Sequence, residues 1–313
     1  MPRSSRPRKS TYRVLAALAL LTLTAGAVTA CGGNDNGDAS DHASSASSAS
    51  SASTGAGRSD AAKLHMITND GHRLAFYVIK GSERTIVLDS GGGEDASQWK
   101  HIAPELHADT GATVITYDRA GLGKSDVVPG PWKVKSAVSD LRSGLEQLGV
   151  TRNVTLVAHS QAGEIANNLA QDNPKMLSGA VLVDANLPGF FTDQEIPRLV
   201  AGTQPEVDAA KKNPDEPANR QLISTAEGFA SAHKVFHTVV WPDSVPARVL
   251  VSEKTPFEGS PVDAQRWRDA AAAFAKAAPN RTLVTVKGSS HEIPTDRPAL
   301  VVKEVEGMVS AEQ

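Results

Sequence analysis

Val154-Thr155-Leu156-Val157-Ala158-His159-Ser160-Gln161-Ala162-Gly163 reads as an apolar strand that breaks into a turn of small residues and runs on as a helix. Val154, Leu156 and Val157 supply the strand, and a helix starting near Gln161 carries Ile165 and Leu169 one turn apart. Ser160 therefore stands on a sharp strand-to-helix turn, the setting of a candidate nucleophile. Ala158, Ala162 and Gly163 are small enough to let that turn close. A serine here also serves as a helix cap after a buried strand. Because Ala158 stands where the pattern G-x-S-x-G has its first glycine, the rest of the chain must decide between the two.

Outward from this stretch, strands and helices alternate. Lys63 to Thr68 and Arg73 to Ile79 read as two strands joined by Asn69-Asp70-Gly71-His72, whose Asp-Gly pair is a hairpin signal. Short apolar strands follow at Thr85 to Leu88, Thr113 to Thr116, Val154 to Ala158, Ala180 to Val183, Arg248 to Val251 and Leu283 to Val286, with amphipathic helices between most of them. The alternation predicts an α/β domain over 61–313, with a mainly parallel sheet of about eight strands covered by helices on both faces. Residues 186–241 are too many for one crossover. Helical patches there, interrupted by Pro188, Pro197, Pro205, Pro214 and Pro217, predict a helical cap.

Reactive groups in open parallel sheets lie at the carboxyl ends of the strands. The strand ending at Leu88 leads into Asp89-Ser90-Gly91-Gly92-Gly93, where backbone can come close to a reacting atom. Acyl transfer needs two backbone N–H donors at the oxygen that becomes negative, and Gly92 and Gln161, the residue after the serine, are the candidates. A phosphate loop is the rival reading, but the lysine and Ser/Thr that should follow the glycines are missing. The strand ending at Thr116 leads into Tyr117-Asp118-Arg119-Ala120-Gly121-Leu122-Gly123-Lys124-Ser125, which reads as a structural loop in which Asp118 and Arg119 pair with backbone or with each other beneath the site. The last strand leads into Lys287-Gly288-Ser289-Ser290-His291-Glu292-Ile293-Pro294. His291 is the candidate base, since serine needs an adjacent group that titrates near neutrality. His159, beside the serine, is expected to point elsewhere. No H-E-x-x-H pattern occurs, and no metal or cofactor is expected.

The Y-D-x-x-G-x-G-x-S loop, the serine turn and the terminal histidine loop, in that order, give the chain a specific resemblance to the α/β-hydrolases from Lys63 to Glu312. Two departures stand out: Ala158, and Asp89-Ser90-Gly91 where many members have an apolar residue followed by His-Gly. The second leaves the bracing of the glycine loop to be explained. Many members place the acid after the strand that follows the cap, where this chain has Ser252-Glu253-Lys254-Thr255; others place it one strand earlier, where this chain has Asp184. The resemblance thus implies a Ser160, His291 and Asp184 set, with Glu253 as the alternative acid. A serine rather than an aspartate at the turn points away from epoxide hydrolases and haloalkane dehalogenases and toward esters, thioesters, lactones or amides. Cofactor-free haloperoxidases share this set, peptidases would need an amine-binding carboxylate such as Glu195, Glu206 or Glu227, and a binding protein that lost turnover is the reading from another class. Phe190, Phe191, Phe229, Phe236 and Trp241 serve either as an apolar lining for the acyl substrate or as cap core.

The chain opens with Arg3, Arg6, Arg8, Lys9 and Arg13 ahead of an apolar stretch from Val14 to Val28, the pattern of an export signal over 1–30. Val28-Thr29-Ala30-Cys31 resembles a bacterial lipobox, which predicts lipid attachment at Cys31, the sole cysteine, and a place on the extracytoplasmic face of a membrane. Plain secretion is the alternative. Residues 32–60 are nearly all Gly, Ser, Ala, Asn and Asp, a composition with little to bury that predicts a flexible tether. Removing the signal takes five of the 32 basic residues and none of the 35 acidic ones, so the mature chain is mildly acidic and has no stripe suited to nucleic acid.

Overall fold

The computed structural model describes residues 61–257 and 259–311. The export signal, Cys31 and the tether lie outside the described residues. Eight strands form one sheet: β1 (Lys63–Asn69), β2 (His72–Ile79), β3 (Thr85–Asp89), β4 (Thr113–Asp118), β5 (Val154–His159), β6 (Leu177–Val183), β7 (Ala247–Ser252) and β8 (Arg281–Val286), in the spatial order β1-β2-β4-β3-β5-β6-β7-β8. From β4 through β8 every neighbour pair is parallel, whereas β2 runs antiparallel to both β1 and β4. Thus β1 points the same way as β4, and the chain enters the sheet at the end opposite the carboxyl ends of the parallel strands.

Burial explains why the strands were readable. All residues of β3 and β5 are buried, because helices cover both faces of the central sheet, so these segments need unbroken apolar runs. The edge strands β1 and β8 expose much of their length and mix polar with apolar residues. Two core layers result. Leu156 and Ala158 of β5 join the layer that contains Leu141 and Leu145 of α2 (Val134–Gln147) and Ile165 and Leu169 of α3 (Ala162–Asp172). Val157 joins the opposite layer, with Ile102 and Leu106 of α1 (Ile102–Thr110) and Val301 and Val305 of the C-terminal helix, Pro298–Ala311.

Between β6 and β7 the chain forms a short 3₁₀ turn at Pro188–Phe190 and two helices that pack on each other, α4 (Glu195–Ala210) and α5 (Pro217–Phe236). The prolines interrupt this segment less than the sequence suggests. Pro197 lies in the first turn of α4, where its missing N–H costs nothing, and α4 continues through Pro205. Pro217 opens α5, a position suited to its fixed φ. Further on come α6 (Pro261–Lys276), α7 (Ile293–Asp296) and α8, the C-terminal helix. No helix among the described residues is long and apolar enough to cross a membrane.

Candidate active site

Ser160 directly follows β5 and has a backbone φ of 56°, in the left-handed region that non-glycine residues avoid. Such a conformation costs of order 1–3 kcal/mol and persists only where its surroundings enforce it. Here the Ser160 N–H donates to the Val183 carbonyl at 3.2 Å, and the Ser160 carbonyl accepts from Gly163 at 2.9 Å and from Asn186 at 2.8 Å. The turn is tight enough that a Cβ at Gly163 would lie 2.4 Å from the Asn186 oxygen, so only glycine fits there. Asp184, at the end of neighbouring β6, also has a positive φ, 42°.

His291 lies after β8, in the loop that leads into α7, and joins these two residues. Its Nε2 is 3.0 Å from Ser160 Oγ and its Nδ1 is 2.7 Å from Asp184 Oδ2, with all three residues buried. The Asp184 carboxylate accepts three further hydrogen bonds: from Ser252 Oγ at 2.6 Å, the Ser252 N–H at 3.0 Å and Trp267 Nε1 at 2.9 Å. Burial alone pushes this carboxyl up, but the bonds from His291, Ser252 and Trp267 outweigh it and hold the group below its usual value. Glu253, the other carboxylate considered for the histidine, instead accepts the Gly288 N–H at 2.7 Å.

The glycine loop after β3 packs against the serine: a Cβ placed on Gly91 would lie 3.6 Å from Ser160 Cβ and 2.8 Å from His159 Nδ1. Neither the Gly92 nor the Gln161 N–H has an acceptor among the described residues, whereas the Gly91 N–H donates to Gln98 Oε1 at 3.0 Å. Two devices brace this loop in place of the absent histidine. The first is Arg119, whose buried guanidinium binds Asp89 at 2.7 Å and donates hydrogen bonds to the Ser90 and Gly91 carbonyls. Tyr117 Oη adds a bond to Asp89 at 2.9 Å. The second is a relay through Gln98, whose Nε2 donates to His159 Nδ1 at 3.0 Å, while His159 Nε2 meets the His291 carbonyl at 3.0 Å.

Burial, reinforced by the neighbouring His291, pushes His159 down to about 3, so its ring stays neutral and donates from Nε2 alone. The sequence alone gives His159 no task beyond pointing away from the serine, assigns none to Ser252, and does not single out Gln98 or Trp267. No local pattern marks these residues; their partners are 61 to 132 positions away, except for Gly91. Among the described residues, His159, His291 and Glu292 bring potential metal-binding atoms within 4.8 Å of one another. Both ring nitrogens of each histidine are already hydrogen-bonded within the protein, which leaves only the Glu292 carboxylate to offer.

In the segment between β6 and β7, Phe190, Phe191, Phe229, Phe236 and Trp241 are all buried in the core layer shared with β5. Phe190 sits 5.0 Å, centre to centre, from both Phe257 and Trp267. His233 of α5 reaches Glu164 of α3 at 3.1 Å and stacks on Phe229 at 3.9 Å. Glu195 pairs with Arg198 and Arg266.

Residues 86–304 match the family model described as "Alpha/beta hydrolase family". An uncharacterized protein of Mycobacterium tuberculosis is 33% identical over 122 residues, which is 39% of this chain and only 35% of that relative's own length. A thermophilic esterase from Thermogutta terrifontis superposes with a TM-score of 0.55 at 23% identity, covering 80% of this chain and 99% of the esterase. The bromoperoxidase from Bacillus anthracis gives a TM-score of 0.59 at 18% identity, covering 79% of this chain and 100% of its own. These structural likenesses speak to fold alone; the match across more than half of the sequence makes this chain a member of the alpha/beta hydrolase family.

Proposed function

We propose that the chain is an extracytoplasmic serine hydrolase, held to a membrane through a lipid on Cys31, that cleaves a small carboxylic ester with an apolar acyl part by way of an acyl-enzyme. The observation that carries this reading is the continuous hydrogen-bonded line from Ser160 Oγ through His291 to Asp184. Ser160 Oγ attacks the ester carbonyl carbon while His291 Nε2 takes its proton, and Asp184 holds Nδ1–H and stabilises the imidazolium that forms. The tetrahedral oxygen accepts from the Gln161 and Gly92 N–H groups, which have no other acceptor among the described residues. Collapse expels the alcohol, which takes the proton from His291. Water, deprotonated in turn by His291, then attacks the acyl carbon, and the bond to Ser160 Oγ breaks as Oγ takes that proton back from His291, which frees the carboxylic acid and restores the enzyme.

A peroxide in place of water at the second step would make the same residues a perhydrolase. Against a binding protein without turnover stands the complete set of serine, base and acid. Of the three carboxylates a peptidase could use, Glu195 is already engaged by two arginines, which leaves Glu206 and Glu227.

Fluorophosphonate labelling tests the central claim: wild type should label and Ser160→Ala should not. Labelling that persists in Ser160→Ala would defeat it. A series of esters of increasing acyl length, with and without hydrogen peroxide, separates hydrolysis from peracid formation and defines the acyl preference. For the anchor, Cys31→Ser should move the protein from the membrane to the soluble fraction; unchanged retention would refute lipid attachment at that residue.

A further inference from the structure

Asn186 lies just past Asp184, where the chain leaves β6 for the helices that follow, and its N–H donates to the Ser160 carbonyl at 2.8 Å. That bond reaches the left-handed serine from outside its own turn and helps to hold it. Asn186 is held in its turn by its side chain, whose Nδ2 donates to Glu164 Oε1 at 2.8 Å. Glu164 stands in the first turn of α3, and its Oε2 has no hydrogen-bond partner among the described residues. The carboxylate is therefore held through Oε1.

The second donor to Oε1 comes from between β6 and β7. His233 of α5 brings Nε2 to 3.1 Å from that oxygen, while its Nδ1 lies 2.8 Å from the Phe229 carbonyl. Both ring nitrogens face oxygens that act as acceptors, so both carry hydrogen and the ring is an imidazolium. The setting suits a cation, because the ring rests against Phe229 at 3.9 Å and Phe191 at 4.1 Å, centre to centre. His233 and Glu164 are each 2% exposed, so water replaces neither partner. Glu164 is the charged group that acts on His233. On the elements around it, Glu195 of α4 is taken by Arg198 and Arg266 and Asp184 by His291, while Glu206 of α4 responds to burial alone. Asp172 of α3, Asp193, Asp208 of α4, and Glu227, Lys234 and His237 of α5 are exposed.

We propose that protonated His233 is a positioning residue for the nucleophile: it anchors Glu164, Glu164 anchors Asn186, and Asn186 holds the carbonyl of the Ser160 turn. The seating of α5 thereby sets how Ser160 is presented to His291. Loss of the His233 proton removes one of the two bonds to Oε1 and leaves a buried carboxylate to Asn186 alone, so the turn loosens as pH rises. Burial alone pushes His233 down, but Glu164 outweighs it, which places this loss on the alkaline side of the ordinary histidine range. The inference rests on the serine-hydrolase reading of the site.

The test is the rate of fluorophosphonate labelling at Ser160, followed from about pH 6 to about pH 10, with circular dichroism at both ends as the fold control. In wild type the rate should rise as His291 becomes neutral and then fall about threefold to tenfold as His233 does. His233→Gln keeps an N–H for Glu164 but does not titrate, so the alkaline fall should vanish. Asn186→Ala leaves His233 and Glu164 paired but cuts their link to the turn. Labelling there should be about tenfold slower throughout, again without the alkaline fall. A histidine that only braced the helices would not act through Asn186, so a fall that persists in folded Asn186→Ala would overturn the proposal. A fall that persists in His233→Gln, or a wild-type rate that stays flat at alkaline pH, would do the same. Should His233→Gln not fold, Asn186→Ala decides alone. These outcomes defeat this inference and leave the hydrolase reading standing, whereas labelling that does not depend on Ser160 at any pH defeats both.

Discussion

His159 Nε2 donates to the backbone carbonyl of His291 at 3.0 Å, across 132 residues of sequence, and so ties the residue beside the serine to the loop that presents the imidazole. With Gln98 linking His159 to the Gly91 N–H, one line of hydrogen bonds runs from the glycine loop to the histidine loop beneath Ser160. His159 stays neutral across the working pH range, so the line is mechanical and carries no proton. His159→Phe keeps the ring but loses both bonds. Turnover should fall by about one to two orders of magnitude, with stability lowered by roughly 1–3 kcal/mol. The pH profile of the remaining activity should keep its shape, because His291 keeps its hydrogen bonds to Ser160 and Asp184. Parallel measurement of kcat against pH and of thermal unfolding checks this, and a displaced pH optimum would contradict it.

Asp184→Asn should lower kcat by about three to four orders of magnitude while leaving the fold intact, since an amide at that position favours the wrong tautomer of His291. Glu253→Gln should change kcat little, because Glu253 serves the Gly288 N–H. Steady-state kinetics of the two variants, with circular dichroism as the fold control, distinguishes their roles.

Arg119→Met should be damaging twice over. It strands Asp89 as a buried carboxyl without its cation, at a cost of roughly 3–5 kcal/mol, and it frees the Ser90 and Gly91 carbonyls. Loss of the loop geometry should reduce kcat by about the hundredfold or more that follows removal of one oxyanion donor. Denaturant unfolding and kcat measured on the same preparation test both effects.

His233 and Glu164 give stability a pH dependence of defined sign. Burial alone pushes His233 down, but Glu164 outweighs it and raises the imidazole above its ordinary value. A raised basic group contributes fully below its unfolded pKa, near 6.5, and its contribution is lost as pH rises through the higher folded value. The stability difference between wild type and Glu164→Gln should therefore be larger at about pH 6 than at about pH 9. Urea midpoints at the two values decide it, and a difference that grows with pH would overturn the assignment.

Eight strands could be read because β3 to β7 are buried and must be apolar, and because the Asp70-Gly71 turn joins β1 to β2. Ser160, His291 and Asp184 were legible as chemistry-bearing residues at strand ends. Their support was not: Gln98, His159, Arg119, Ser252 and Trp267 act on partners mostly remote in sequence, and nothing in the spacing of a chain records which distant carbonyl a side chain will meet. Helix α4 misled for a related reason. A proline weakens a helix by a fixed local amount, whereas the packing of α4 against α5 acts over its whole length.

The direction of β1 bears on how the preceding segment meets the catalytic domain. Lys63 enters the sheet at one end, and Ser160, Asp184 and His291 gather at the other. A lipid anchor of the kind proposed would therefore hold the domain by the end away from its catalytic residues, so that the point of attachment does not obstruct them, while a flexible tether leaves the domain free to turn.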